Sequence, residues 1–316
     1  MKLEDIGFYT LSDFRVAQTS EKSPLWRCEL LLTSKCNFNC TYCRGTKSDA
    51  DISLSEAKSI IDYWSDNYLK NIRFSGGEPT LVSWLPDICS YARSRCISRI
   101  AVSTNGSANR EVYASLLKSG VNDFSVSLDS CCSIIGDRMS GTSNMWNKVI
   151  GNIRYLSKRT YVTVGVVITD DNIEELENII YFASDLGVSD IRIITAAQFG
   201  NRLDSVEIDS HILNRHPILK YRVENLKRQR DVRGIVSSDS HRCALVLDDM
   251  VVRGNQHYPC VIQMREGGLP IGVVGENTRK TRKRYFLDMD THKDPICKKN
   301  CLDVCVDYNN KYINQG

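Results

Sequence analysis

From residue 26 to residue 195, short apolar runs alternate with longer amphipathic ones, and this rhythm restricts the fold more than any other feature of the chain. The short runs read as strands at Trp26–Thr33, Asn71–Phe74, Arg99–Ser103, Asp123–Leu128, Tyr161–Ile168 and Asp190–Ile194. Helical spacing fills the gaps at Leu54–Leu69, Leu81–Arg95, Arg110–Leu117, Asn144–Lys158 and Ile173–Leu186. Ser53 and Glu56 stand as a capping box for the first helix, and Gly187 as a stop for the last. Strand–helix repeats of this kind build a parallel sheet with right-handed crossovers. The expected class is α/β: a partial (β/α)6 TIM-type barrel over 26–200. A helical connector over 201–236 and a small irregular α+β, cysteine-rich segment over 237–316 complete the chain. Residues 1–25 show no period and are expected as a short extension packed on the barrel.

Just beyond the first strand stands Cys36-Asn37-Phe38-Asn39-Cys40-Thr41-Tyr42-Cys43. Three thiolates this close suit three corners of a cubane iron–sulfur cluster, leaving one iron without a protein ligand and open to a substrate or cofactor. A zinc knuckle or three unrelated core cysteines are the plainer readings, but zinc takes four protein ligands in paired spacings and no fourth lies nearby. Other chemistry-bearing residues also fall just past predicted strands: Gly76 after the second, Asn105 after the third, Asp129 after the fourth. In barrels, that edge collects catalytic groups.

The Cys-x3-Cys-x2-Cys run with Tyr42 before its last cysteine, followed by Gly76-Gly77-Glu78-Pro79 at a strand end, resembles the radical S-adenosylmethionine (SAM) superfamily over about residues 26–195. The resemblance implies that Cys36, Cys40 and Cys43 hold a [4Fe–4S] cluster whose open iron is chelated by SAM. Reductive cleavage then gives methionine and a 5′-deoxyadenosyl radical that takes a hydrogen atom from the substrate, the cofactors carrying the hard chemistry. It implies further cofactor-binding positions. Tyr42 lies by the adenine, and Gly76, Gly77, Glu78 and Pro79 by the methionyl ammonium. Thr104 and Asn105 lie by the ribose, Ser127 or Asp129 face SAM or substrate, and Arg138 pairs with the SAM carboxylate. Tyr42 in the core and Arg138 on the surface are the ordinary alternatives.

A second group, Cys243, Cys260, Cys297, Cys301 and Cys305, follows the barrel, the last three at a spacing that places their thiols on one face of a terminal helix. It resembles the SPASM and Twitch auxiliary-cluster domains, with a long first gap and irregular final spacing, and implies one auxiliary [4Fe–4S] cluster held by Cys243, Cys260 and two or three of the final trio. A structural zinc site is the alternative. Cys131 and Cys132, next to Asp129, are candidate hydrogen-atom donors to a substrate radical, with simple packing as the other reading.

Composition enters where it narrows function. Thirteen cysteines in a chain with no secretory signal point to a reducing, cytoplasmic setting and to metal rather than disulfides. No apolar run is long enough to span a bilayer. A net charge of +3 does not by itself imply nucleic acid, but the run 279–284 (Arg-Lys-Thr-Arg-Lys-Arg) is a candidate phosphate or nucleic-acid contact. The expected partners are a flavodoxin- or ferredoxin-like reductant and a substrate. A peptide is the first expectation, modified by crosslinking, epimerisation or oxidation; a nucleotide, nucleic-acid-linked or sugar substrate is the second. A non-catalytic iron–sulfur or zinc protein is the contrasting class.

Overall fold

A computed structural model describes residues 13–23, 25–45, 51–198, 203 and 206–314. After a short helix α1 (Asp13–Gln18), six parallel strands alternate with helices. They run β1 (Arg27–Thr33), α2 (Leu54–Ser65), β2 (Asn71–Gly76), α3 (Leu85–Ser94), β3 (Arg99–Thr104), α4 (Arg110–Lys118) and β4 (Asp123–Ser127). Two helices follow, α5 (Ser133–Ser140) and α6 (Trp146–Ser157), then β5 (Tyr161–Ile168), α7 (Leu176–Asp185) and β6 (Asp190–Thr195). Helices α8 (Ser210–Arg215) and α9 (Pro217–Lys227) form the connector. The remainder is β7 (Asp249–Arg253), β8 (Gln256–Tyr258), α10 (Val261–Arg265), β9 (Gly272–Val273), α11 (Thr278–Asp288), α12 (Pro295–Asn300) and α13 (Asp303–Ile313).

The capping box forms as expected, with Ser53 and Glu56 each accepting from the other's backbone N–H. Gly187 takes φ 80° after α7, a left-handed position that glycine fills without a side-chain penalty. Helix α2 stops four residues early, where Tyr68 adopts φ 65° and turns the chain into β2. Helix α5 has no counterpart in the periodicity because it buries only Met139 and so carries no apolar stripe.

Strand order β6-β5-β4-β3-β2-β1-β7-β8-β9 makes one continuous sheet, parallel through β7 and antiparallel beyond, in a barrel that is partial and not closed. The outward residues Leu30, Leu32, Ile72, Phe74, Ile100, Val102, Phe124, Val126, Val164 and Ile193 are buried with Ile61, Trp64, Ile88, Leu116, Ile153 and Ile180 of the helices. Removing a side chain such as Phe74 from water contributes roughly 1.5–3 kcal/mol. The inward residues are polar: Arg27 and Glu29 on β1, Arg73 and Ser75 on β2, Ser103 on β3, Asp123 and Ser125 on β4, Arg192 on β6. This departs from the branched aliphatic layers that usually fill such barrels.

The cysteine-rich segment extends the barrel sheet, since β7 pairs in parallel with β1 from Arg27↔Asp249 to Leu31↔Arg253. The described part of the N-terminal extension touches both: Leu25 is buried in the barrel core, and helix α1 packs on the cysteine-rich segment. Val16 shares a small core with Ala244, Leu245 and Tyr308, Arg15 pairs with Asp248, and Thr19 bonds Tyr308. Residues 1–12 lie outside the described residues.

Candidate active site

The cysteine loop leaves β1 and is gripped from two sides. On one side, Gly77 N donates to Thr33 O (2.8 Å) and Glu78 N to Lys35 O (2.8 Å). A Cβ at Gly76 would sit 2.2 Å from Thr33 O, and one at Gly77 2.2 Å from Lys35 O, so both glycines are required by the loop's own backbone. On the other side, Asn39 N donates to Ser140 O (2.9 Å) and Thr41 N to Met139 O (3.1 Å). Gly141, at φ 63°, leaves room for Asn39 O, which a Cβ would approach to 2.4 Å. The second grip, from the end of α5, gave no signal beyond Gly141 itself.

Cys36 and Cys43 are exposed and Cys40 is half-buried. Backbone N–H groups point at two sulfurs, Phe38 N at Cys36 Sγ (3.4 Å) and Gly45 N at Cys43 Sγ (3.3 Å), and Asn105 Nδ2 lies 3.9 Å from Cys36 Sγ. Burial pushes the Cys40 thiol up to about 12, with the charges of Asp129 and Cys43 adding to it. Cys36 moves in the same direction, by burial first. Thiols that raise one another and receive N–H donors suit an iron core that neutralises them together. Among the described residues, no three His, Cys, Asp or Glu side chains are placed to hold a single metal ion.

Strand ends complete an open cleft, lined by Phe38, Cys40, Tyr42, Asn105, Ser127 and Trp146 among others. Glu78 is fully buried and its carboxylate is taken up by the fold. Thr80 N (3.0 Å), Thr80 Oγ1 (2.6 Å), Thr104 Oγ1 (2.7 Å) and Asn105 N (2.7 Å) all donate to it. It therefore ties the end of β2 to the end of β3, although burial still raises its pKa. Pro79, buried, opens the 3-10 turn that Glu78 caps. Asp129 binds the Tyr42 hydroxyl with one oxygen and accepts from Val167 N (2.7 Å) with the other; desolvation pushes it up to about 6. Of the two acids singled out, neither points a free carboxylate into the cleft. Ser127 remains exposed at its floor.

Other expected residues stand elsewhere. Arg138 pairs with Asp171 (2.9 Å) with its side chain 58 % exposed, outside the cleft lining. Cys131 Sγ faces Glu175 (3.8 Å) and Cys132 caps α5, and neither lines the cleft. Sequence reasoning missed Trp146, whose Nε1 donates to Ser130 O (3.0 Å) and whose ring would lie 2.4 Å from a Cβ at Gly136. A glycine inside a short helix was the available signal.

The rear cysteines gather from four elements. Cys243 precedes the turn 244–247, Cys260 caps α10, Cys297 lies on α12 and Cys305 in the first turn of α13. The expected single helical face is corrected: the helix breaks at Cys301 (ψ 136°), where Gly234 N bonds Cys301 O (2.8 Å). Gln263 Nε2 donates to Cys297 Sγ (3.4 Å) and Asn309 Nδ2 to Cys243 Sγ (3.6 Å). Burial, then the charge of Cys305, raises Cys243 to about 11, and Cys260 and Cys297 rise by burial and by their neighbouring thiols. The donor chemistry fits a shared iron–sulfur core.

The run 279–284 is divided: Lys280, Lys283 and Arg284 are exposed, while the other residues are drawn into the fold. It forms α11, whose Arg282 is buried and donates to the carbonyls of Val246 (2.6 Å), Tyr258 (3.0 Å), Pro259 (3.2 Å) and Asp249. Arg279 binds Ser23 O (2.5 Å) and Asn67 Oδ1 (3.1 Å), Lys283 pairs with Glu21, and Arg284 lies 3.8 Å from Asp288. No helix among the described residues is long and apolar enough to cross a membrane.

Residues 30–183 match the family model described as the Radical SAM superfamily. The chain is 26% identical over 177 residues to a probable GTP 3',8-cyclase of Metallosphaera sedula, covering 54% of this chain and 56% of that one. It is 27% identical over 215 residues to a GTP 3',8-cyclase of Vibrio vulnificus, covering 62% and 64%. With an AdoMet-dependent heme synthase of Methanosarcina barkeri it shares 26% identity over 183 residues, covering 56% and 52%. The chain thus spans just over half to under two thirds of these relatives' length. Among solved structures it resembles SuiB of Streptococcus suis bound to S-adenosylmethionine (TM-score 0.59, 14% identity, covering 87% and 67%). It also resembles native anSMEcpe with bound AdoMet (TM-score 0.58, 16% identity, covering 92% and 94%), both likenesses of fold.

Proposed function

Residues 30–183 belong to the Radical SAM superfamily, and from that premise we propose that the chain is an enzyme that cleaves SAM reductively and takes a hydrogen atom from a bound substrate. The observation that carries this reading is the cysteine loop held from both sides at the C-terminal edge of the barrel, with Cys40 lining the cleft, Cys36 and Cys43 exposed, and N–H groups aimed at the sulfurs of those two. When bound, the cluster and SAM supply one-electron cleavage and a carbon-centred oxidant. This chain's residues do the positioning. Glu78 fixes two strand ends, Asp129 holds the Tyr42 ring against the cleft, and Asn105 and Ser127 offer an amide and a hydroxyl for ribose. Cys243, Cys260 and two or three of Cys297, Cys301 and Cys305 would hold one auxiliary [4Fe–4S] cluster. A small electron-transfer protein is the proposed reductant.

For the substrate, the relatives named GTP 3',8-cyclase favour a nucleotide-like molecule over the peptide first expected. The peptide reading rests on a likeness of fold to SuiB, which was crystallised with its precursor peptide SuiA. Anaerobic reconstitution followed by dithionite and SAM tests the proposal. The expected product is 5′-deoxyadenosine, absent when Cys36, Cys40 and Cys43 are replaced by alanine; iron loading without that product would leave only an electron carrier.

A further inference from the structure

Helix α10 is five residues long, far short of the length at which an isolated helix holds together in water. Its place is therefore set by what its ends touch. At its start, Cys260 Sγ accepts from Gln263 N (3.5 Å), and the Gln263 side chain donates to Cys297 Sγ (3.4 Å) and Asp294 Oδ1 (2.9 Å). Met264 shares a small apolar cluster with Leu31 of β1, the strand that delivers the front cysteine loop. Just past the helix, Glu266 pairs with Arg44, the neighbour of Cys43. That end is pinned, since Glu266 N donates to Ile262 O (2.9 Å) and Gly268 N to Gln263 O (2.8 Å). Cys43 and Gly45 are exposed, yet the Arg44 side chain between them is only 18 % exposed and that of Glu266 15 %. One short helix thus meets the rear thiols at one end and the front loop at the other.

A second tie runs through Arg233. Its Nε donates to Thr195 O (2.8 Å) and its Nη1 to Asn300 O (3.4 Å), the carbonyl just before Cys301. On the same stretch, Gly234 N donates to Cys301 O (2.8 Å) and Asp303 N to Val232 O (3.1 Å). Beyond Thr195, Ala196 and Ala197 are buried, Ala196 N bonds Ile168 O (2.9 Å), and Gln198 Nε2 donates to Tyr42 O (2.8 Å). Both ties therefore end on neighbours of one front cysteine, Cys43: one on the residue before it, the other on the residue after.

Resting on the radical SAM reading of the front loop, we propose that occupancy of the rear cysteine set fixes the position of that loop, with Glu266 and Arg233 as positioning residues. When the rear thiols share metal, Cys260 and Cys297 hold the start of α10, and the chain at Asn300–Cys301 holds Arg233. Glu266 then presents its carboxylate to Arg44 at a fixed place, and Cys43 is steadied from both sides. With the rear set empty, α10 loses its anchor at Cys260. The loop then keeps the two backbone grips from β2 and α5, which both fall before Tyr42. Linkage makes the effect reciprocal: a ligand that closes the front loop tightens the rear set by the same factor.

The test uses the full-length protein with Cys36, Cys40 and Cys43 replaced by alanine, so that iron and sulfide added anaerobically load only the rear set. Hydrogen exchange of residues 36–45, read by mass spectrometry, is compared before and after loading. Loading should slow that exchange about fivefold or more. Glu266→Gln should remove most of the protection and Arg233→Met part of it, with rear iron content unchanged. Exchanging the charges, Arg44→Glu with Glu266→Arg, should bring protection back, and Lys280→Ala at an exposed position of α11 should change nothing. With the front cysteines intact, Glu266→Gln should raise KM for SAM more than it lowers kcat. Failure of the alanine variant to keep iron, exchange unchanged by loading, or full protection in Glu266→Gln combined with Arg233→Met overturns the proposal. Deoxyadenosine formation by the wild type is measured separately. Its absence, with exchange still responding to loading, would remove the radical SAM reading and leave the tie between the two sets standing.

Discussion

The two cysteine sets differ in what surrounds the sulfurs. At the front, Cys36 and Cys43 are exposed on a loop fixed by backbone hydrogen bonds, and among the described residues the side chain of Asn105 approaches Cys36. At the rear, thiols are buried or half-buried, brought together from four elements, and supported by the side chains of Gln263 and Asn309. On the proposed reading, the open sulfurs of the front loop share their metal with a ligand from outside, and the rear set, closed by the protein, holds metal as part of the fold and links it to stability.

That contrast can be broken by exchange of ligands. Replacing Cys36, Cys40 and Cys43 with alanine should remove roughly half the iron and lower deoxyadenosine formation by about a thousandfold or more, with the melting temperature little changed. Replacing Cys260 and Cys297 should remove the other half and lower the melting temperature, while deoxyadenosine still forms. Iron analysis and calorimetry check both, and loss of all iron from either variant would dissolve the distinction. Arg282→Met should come next, destabilising by about 3 kcal/mol in anaerobic denaturant titrations because the carbonyls it serves are left without a donor. Iron should leave the rear set first.

Gly77→Ala should act at the front, at about 2 kcal/mol, since the added carbon meets Lys35 O and the loop must shift. Iron at the front should become labile to chelators while the rear set keeps its metal. The smallest effect sharpens the picture by pH. His257 is fully buried, and burial with Arg282 beside it lowers its pKa from 6.5 to about 3. Above pH 6.5 it is neutral folded or unfolded; below, only the unfolded chain takes the proton. Stability therefore falls as pH drops, by about 1–2 kcal/mol between 6.5 and about 5. The slope should be shallower in His257→Asn.

Much of this was legible in the residues. Local chemistry wrote the strands, the capping box, the Gly187 stop and the front cysteine run, so period and spacing recovered them. What failed depends on distant partners. The terminal trio's helical spacing ignored that Gly234 bonds Cys301 O, interrupting the helix. Nothing in 279–284 reveals that carbonyls near 246–259 await Arg282, although Lys280, Lys283 and Arg284 of the same run stay exposed. Glu78 looked like a ligand group, yet its carboxylate is taken up by Thr80 beside it and by Thr104 and Asn105 at the end of another strand.

β1 carries the front loop at its end and lies hydrogen-bonded between β2 and β7. The edge that an unfinished barrel would expose there is sealed by the chain's own later residues. Rungs of one ladder join the strand that carries the front loop to the strand that follows Cys243. If both sets carry clusters, the separation between the front loop and the β7–β8 side of the rear set is fixed by the pairing of β1 with β7.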